Sequence, residues 1–450
     1  MGTAHIGWTG IVRLGLVQTA LGAVVVLTTS TMNRVMVVEL ALPAMLPGLL
    51  VGLHYAVQML RPRLGHGSDV GGRRTPWIVG GMGVLATGGL LAAIATAWMA
   101  SEPAAAILLA LLAFALIGVG VGAAGTSLLV LLAKRVDASR RAPAATIVWI
   151  MMIAGFAVTA AVAGHFLDPY TPARLVAVTG TVSALAFLIT LLAVRNVERT
   201  RADAPTPASG PAPTRAFREA LVQVWGDRDA RRFTVFVFVS MLAYSLQDLI
   251  LEPFAGAVFG FTPGESTRLA GVQHAGVLCG MIVVALAGSG LARGRCGSLR
   301  AWMVGGCLLS ALALCGLAVS ASMVGDWPLR QNVFLLGLGN GAFAVAAIGS
   351  MMAMASAAGD RREGIRMGLW GAAQAIAFGV GGFLGTVAAD VARLLLGSVA
   401  TAYASVFAIE GALFLMSAVL ALQVSKAVRT ARRTRVGMGS AAYAARAEGG

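Results

Sequence analysis

Five ionisable residues stand in or beside long apolar runs: Arg34, Glu39, Asp248, Glu252 and Glu410. A charge near hydrocarbon is costly, so each is a functional candidate by default. Four of them fall into two similar stretches, Asn33-Arg34 with Glu39 and Gln247-Asp248 with Glu252. Each has an amide, an ionisable group, then an acid four or five residues on. Should the two stretches meet, Arg34 could face Asp248 or Glu252 as a gate ion pair that breaks when that side opens. The other reading is that all four sit at interface depth and orient helix ends. His54 and His274 fall in apolar runs, with Gln58 and Gln273 near them. A neutral imidazole can ligate a metal such as a ring-bound magnesium, or serve as a hydrogen-bond partner in helix packing. Gln374, in the small-residue stretch from Gly368 to Ala375, is a third polar candidate.

The elements that must carry these residues are membrane spans. The chain of 450 residues is 58% hydrophobic and 12% charged, with mean hydropathy +0.82. Soluble domains carry about 25% charge. Apolar runs place spans at 11–32, 38–60, 76–99, 104–132, 144–166, 173–195, 233–252, 268–291, 300–322, 329–357, 367–390 and 401–424. A bilayer core asks for about 20 residues each.

The net charge of +15 suggests nucleic acid until its distribution is seen. Of the 34 Lys and Arg, 29 fall in alternate loops and at the two ends. That is the positive-inside pattern, so both termini are expected in the cytoplasm and no nucleic-acid partner is expected. The segment 196–232 divides the spans six and six. Its Pro, Ala and Ser read as a flexible linker, and Phe217, Leu221, Val224 and Trp225 give an amphipathic helix. That helix lies on the membrane surface or against the span ends. The expected units are a six-helix bundle over 1–195, this linker, a second bundle over 233–424, and a basic tail over 425–450, irregular toward its end.

Catalytic signatures are absent. No Walker A loop, GxSxG, His-Glu-x-x-His or Asp-rich diphosphate motif occurs, and no Cys-x-x-Cys joins the four cysteines. The lines Gly118, Gly120, Gly122, Gly125 and Gly337, Gly339, Gly341, Gly349 read as helix-packing faces, as do the small residues around Gly371.

Two resemblances follow. The loop Gly65-His66-Gly67-Ser68-Asp69-Val70-Gly71-Gly72-Arg73-Arg74 is similar to the loop after the second helix of the major facilitator superfamily. Its pattern residues are Gly65, Asp69, Gly72, Arg73 and Arg74. This implies an all-α polytopic protein with 12 transmembrane helices in two six-helix bundles. The stretches Arg13–Gln18, Asn33–Leu40, Gln247–Gly256 and Leu369–Ala375 resemble the PucC/LhaA family, the bacteriochlorophyll-delivery members of that superfamily. The resemblance implies a protein of a bacterial inner (intracytoplasmic) membrane that is not an enzyme. It implies bacteriochlorophyll as cargo and light-harvesting polypeptides as partners, with a pigment synthase, a protein translocase and membrane lipids around it. A pigment-free assembly scaffold and a proton-coupled exporter of small amphiphiles are the other readings the sequence leaves open.

Overall fold

The computed structural model describes residues 6–59, 73–137, 140–198, 225–288, 298–357 and 363–447. The described residues are helical, with short connections. Among the described residues, twelve helical elements follow one another. They are α1 Trp8–Glu39, α2 Met45–Gln58, α3 Thr75–Trp98, α4 Pro103–Arg135, α5 Arg141–Phe166 and α6 Pro172–Val194. The second set is α7 Arg228–Phe259, α8 Pro263–Gly288, α9 Leu299–Ser320, α10 Leu329–Ala357, α11 Glu363–Leu396 and α12 Val399–Ala447. Eleven are long and apolar enough to cross a bilayer, and Met45–Gln58 is a shorter apolar helix. The chain is a multi-pass membrane protein. Proline opens α4, α6 and α8, where its missing N–H costs nothing.

The buried side chains form two large cores. One draws on α1 to α6 and is centred on residues such as Leu14, Met82 and Phe114. The other draws on α7 to α12, around Phe236, Phe343 and Phe414. Smaller clusters lie where α5 meets α8.

Several sequence-based boundaries shift. The first span does not stop at 32 but continues to Glu39, because Asn33 and Arg34 find partners across the fold. Two π-helical turns, Leu27–Thr31 and Val35–Glu39, flank that pair. The second span begins at Met45 rather than 38. The seventh starts earlier, at Arg228, and runs on to Phe259. The last helix continues through the basic tail to Ala447. That segment is rich in Ala and Arg, both good helix formers, and holds no proline. Gly371 is not a packing residue, since a Cβ added there would meet nothing within 4 Å. Gly65, Asp69 and Gly72, and the amphipathic stretch up to Val224, lie outside the described residues.

Arg73 is described and exposed, and Arg74 is buried beside it at the start of α3. Arg74 N and Thr75 N donate to the carboxylate of Glu198, from beyond α6, at 3.0 and 2.8 Å, and Thr75 Oγ1 donates at 2.7 Å. A carboxylate thus caps the positive end of α3 from 123 residues along the chain. Burial alone would raise the Glu198 pKa, but these hydrogen bonds and the Arg74 charge outweigh it and hold the carboxyl below its usual range. A carboxyl with a folded value below its unfolded one stabilises at pH above the unfolded value. That contribution is lost as pH falls through the folded value. Glu198→Gln should therefore lower the thermal midpoint at pH 7 by the equivalent of about 1 kcal/mol. The gap should shrink below about pH 4. An equal gap at pH 7 and pH 3 in detergent-purified protein would refute the capping role.

Candidate functional site

The two halves are fastened at one face, the one away from the chain termini, and the fastening begins with a proline. Pro253 has no N–H to give to the carbonyl of Leu249, four residues back. The helix breaks there, between Arg228–Asp248 and Leu251–Phe259. A buried carbonyl left open is costly, and Asn33 of α1 supplies the donor, its Nδ2 lying 2.6 Å from Leu249 O. The neighbouring residue, Arg34, is 2% exposed. Its guanidinium pairs with Glu39 and donates to Phe261 O at 2.5 Å. Gly256 makes room for it, since a Cβ there would lie 2.9 Å from Arg34 Nε. Glu252 is buried close by and feels the Arg34 charge. Arg34 is thus ion-paired with Glu39 of its own helix rather than with Asp248 or Glu252. Tyr170, in the α5–α6 connection, borders the same group. Burial first and the Glu39 charge second raise its phenol pKa, and Arg34 opposes them.

Two further carboxylates flank this centre in matching positions. Asp168, just after α5, accepts from Gly264 N at the start of α8 at 3.2 Å and pairs with Arg268 at 3.3 Å. Asp390, near the end of α11, accepts from Ala44 N and Met45 N at the start of α2 at 3.0 and 2.7 Å. Each caps a helix of the opposite half, and each helix start offers unpaired N–H groups and a positive dipole end. Thr31 and Thr267 add a hydroxyl pair at 2.9 Å. In this conformation the face is closed.

Asp248 is not part of that closure. It is half-buried and lies close enough to Glu410 of α12 to act on it electrostatically. Glu410 is 0% exposed and, among the described residues, neither carboxylate oxygen has a hydrogen-bond partner. Gln247, next to Asp248, is also fully buried with both amide atoms unpartnered. One turn away, Tyr244 meets Phe378 of α11 at 5.6 Å, and Phe378 meets Tyr55 of α2 at 6.1 Å. An aromatic wall therefore crosses from one half to the other beside the acids. Gln374 shares the α11 face of Phe378, four residues earlier, and is half-buried. The sequence shows these tyrosines and Phe378 only as scattered aromatics; helical spacing on α7 and α11 is the signal that groups them.

His54 is 2% exposed, its Nε2 lying 2.8 Å from Gln58 Nε2 one turn on. His274 is on the other seam between the halves. Its Nδ1 lies 2.8 Å from Ala270 O, and the edge of its ring meets Phe156 of α5 at 5.0 Å. The two histidines are not brought together.

Over residues 31–428 the chain matches the family model described as PUCC protein. It is 53% identical over 427 residues to the Bacteriochlorophyll synthase 44.5 kDa chain of Rhodobacter capsulatus, covering 95% of this chain and 98% of that one. It is 29% identical to Protein PucC of the same organism, covering 92% of each. Among solved structures, a D-xylose-proton symporter superposes with a TM-score of 0.69 at 12% identity, covering 92% of this chain and 97% of that one. A bacterial homologue of the peptide transporters PepT1 and PepT2 gives 0.68 at 16%, covering 94% and 99%. These structural likenesses establish the fold, that of the major facilitator superfamily. The family match over most of the length, together with the relatives, shows that the chain belongs to the PUCC protein family.

Proposed function

We propose that this protein is a photosynthetic antenna assembly factor of a bacterial inner (intracytoplasmic) membrane, with both chain ends in the cytoplasm. It binds bacteriochlorophyll or a precursor as cargo and delivers it to light-harvesting polypeptides, without catalysing a reaction. A pigment synthase and a protein translocase are the neighbours such a hand-over needs, and membrane lipids surround it. The observation that carries this reading is the likeness, across 95% of the chain, to a protein named for bacteriochlorophyll synthase. The chemistry of the seams agrees with it. The seam between α5 and α8 is lined by Trp149, Met152, Ile153, Val277 and Met281, with one imidazole among them. Apolar, pliable walls suit a flat macrocycle with an isoprenoid tail better than a sugar or an ion.

The test is to purify the tagged protein from a phototrophic host and to delete its gene in the same strain. The expected results are a near-infrared chlorin absorption that stays with the protein, and loss of antenna on deletion. Pigment-free protein that still co-purifies with antenna polypeptides would replace delivery by scaffolding. Normal pigmentation after deletion, with gradient-driven flux of a soluble substrate, would overturn the reading altogether.

A further inference from the structure

His54, buried, and His274, half-buried, use different ring nitrogens toward their own helices. In His54 it is Nε2, which faces the Gln58 amide. In His274 it is Nδ1, which faces the carbonyl of Ala270 at 2.8 Å. A carbonyl only accepts, so the His274 proton sits on Nδ1 and the Nε2 lone pair is left in the neutral ring. Nε2 receives no hydrogen bond among the described residues. A backbone carbonyl holding one nitrogen so that the other can bind is the usual support of a metal-ligating imidazole. The ring is also fixed sideways, its contact with Phe156 being edge-on at 88°.

The setting suits a planar ring. Phe156 and Met152 belong to one half, and Val277 and Met281 to the other. His274, Phe156 and Met152 are each half-buried, so this side of the seam is open to a guest. The side chains packed around Ile153 and Val277 include Trp149, Ile150, Met152, Phe156 and Leu278, so a bound cation would do best to bring its own counter-charge. The magnesium of a chlorin does so, because the macrocycle carries two negative charges and leaves the faces of the metal free for a further ligand. A single neutral nitrogen on an apolar seam fits that need, whereas a free divalent cation would require several oxygen ligands.

We infer that His274 Nε2 is the axial ligand of the central magnesium of a bacteriochlorin held at the α5–α8 seam. This assignment rests on the pigment-delivery reading and specifies its binding site.

The experiment titrates the full-length protein in detergent with bacteriochlorophyll a and, separately, with bacteriopheophytin a, which has the same ring without metal. Wild type is expected to prefer the magnesium form by about tenfold or more, roughly 1.4 kcal/mol. His274→Phe keeps an aromatic ring of similar shape but has no lone pair. It should erase that preference while leaving pheophytin binding within about twofold, and His54→Phe should keep the preference. A measurement on wild type needs no variant: labelling histidine with nitrogen-15 should shift the magnesium–nitrogen stretch of the bound pigment in resonance Raman. If His274→Phe retains the preference, or the isotope causes no shift, the ligand assignment is overturned and pigment delivery stands. If wild type binds neither ring, the delivery reading itself has failed.

Discussion

Arg34→Leu should cost the protein about 3–5 kcal/mol and unfasten the face away from the chain termini. The side chain is 2% exposed and holds Glu39 and Phe261 O at once. Removing it strips Glu252 of a cation that acts on it, in a place where that residue is 3% exposed. It also leaves Phe261 O without its donor. Glu39→Gln is the instructive comparison. The Glu39 side chain is 35% exposed, so water replaces much of what the ion pair supplies, and the loss should be near 1 kcal/mol. Arg34→Lys should behave more like leucine than like arginine, because one ammonium cannot reach both a carboxylate and a carbonyl placed for a guanidinium fork. Two readouts check this. The thermal midpoint of the detergent-purified protein gives the cost. A cysteine at Thr31, buried against Thr267, gives the opening. With the native cysteines replaced, an impermeant maleimide should label it in the Arg34→Leu background and not in wild type. Equal midpoints for Arg34→Leu and Glu39→Gln, with no labelling in either, would remove Arg34 from the closure.

The closure also explains what could and could not be read from the chain. Runs of apolar residues bounded by Pro and Trp give helix positions well, and α10 falls at 329–357 as expected. They fail at α1 because Asn33 and Arg34 look like a helix stop. Only the fold reveals that Leu249 O and Phe261 O satisfy them. Asp168 and Asp390 read as ordinary span ends. Their partners are backbone N–H groups of α8 and α2, and backbone donors leave no trace in residue type. The grouping of Arg34, Glu39, Asp248 and Glu252 separates in the structure for a local reason. Asp248 and Glu252 straddle the break at Leu249–Ile250, so one turns toward Glu410 and the other toward Arg34. A proline signals the break, but the sequence alone does not say which acid goes which way. The histidines stand out in the sequence as two imidazoles in apolar runs, each with a glutamine near it. What separates them is the hydrogen bond on a single ring nitrogen, a matter of rotamer rather than of spacing.

Gly341→Ala is the second substitution expected to have a large effect, about 3 kcal/mol of stability. The helices α8 and α10 interlock through two pairs of glycines spaced four apart. Gly337 and Gly341 face the carbonyls of Gln273 and Val277, while Gly276 and Gly280 face those of Phe334 and Leu338. A Cβ at 341 would press on Val277 O and lie 2.8 Å from its carbonyl carbon. Both sides of the contact are backbone, so no rotamer change can relieve it and the helices must move apart. Close approach of this kind is what small residues provide inside a membrane, where burial of apolar surface offers little drive for association. Gly305, on α9, supplies the control: it is exposed, and a Cβ there would meet nothing within 4 Å. Gly305→Ala should leave the thermal midpoint unchanged or raise it by up to about 1 kcal/mol, from helix propensity alone. Matching midpoints for the two variants would mean that α8 and α10 are not in backbone contact. The consequence reaches the seam, because Gln273, whose carbonyl Gly337 meets, precedes His274. Any shift of α8 large enough to admit the methyl group also displaces that imidazole from Phe156. A Gly341→Ala protein that still folds should then lose its preference for the magnesium ring together with its stability, whereas Gly305→Ala should keep both.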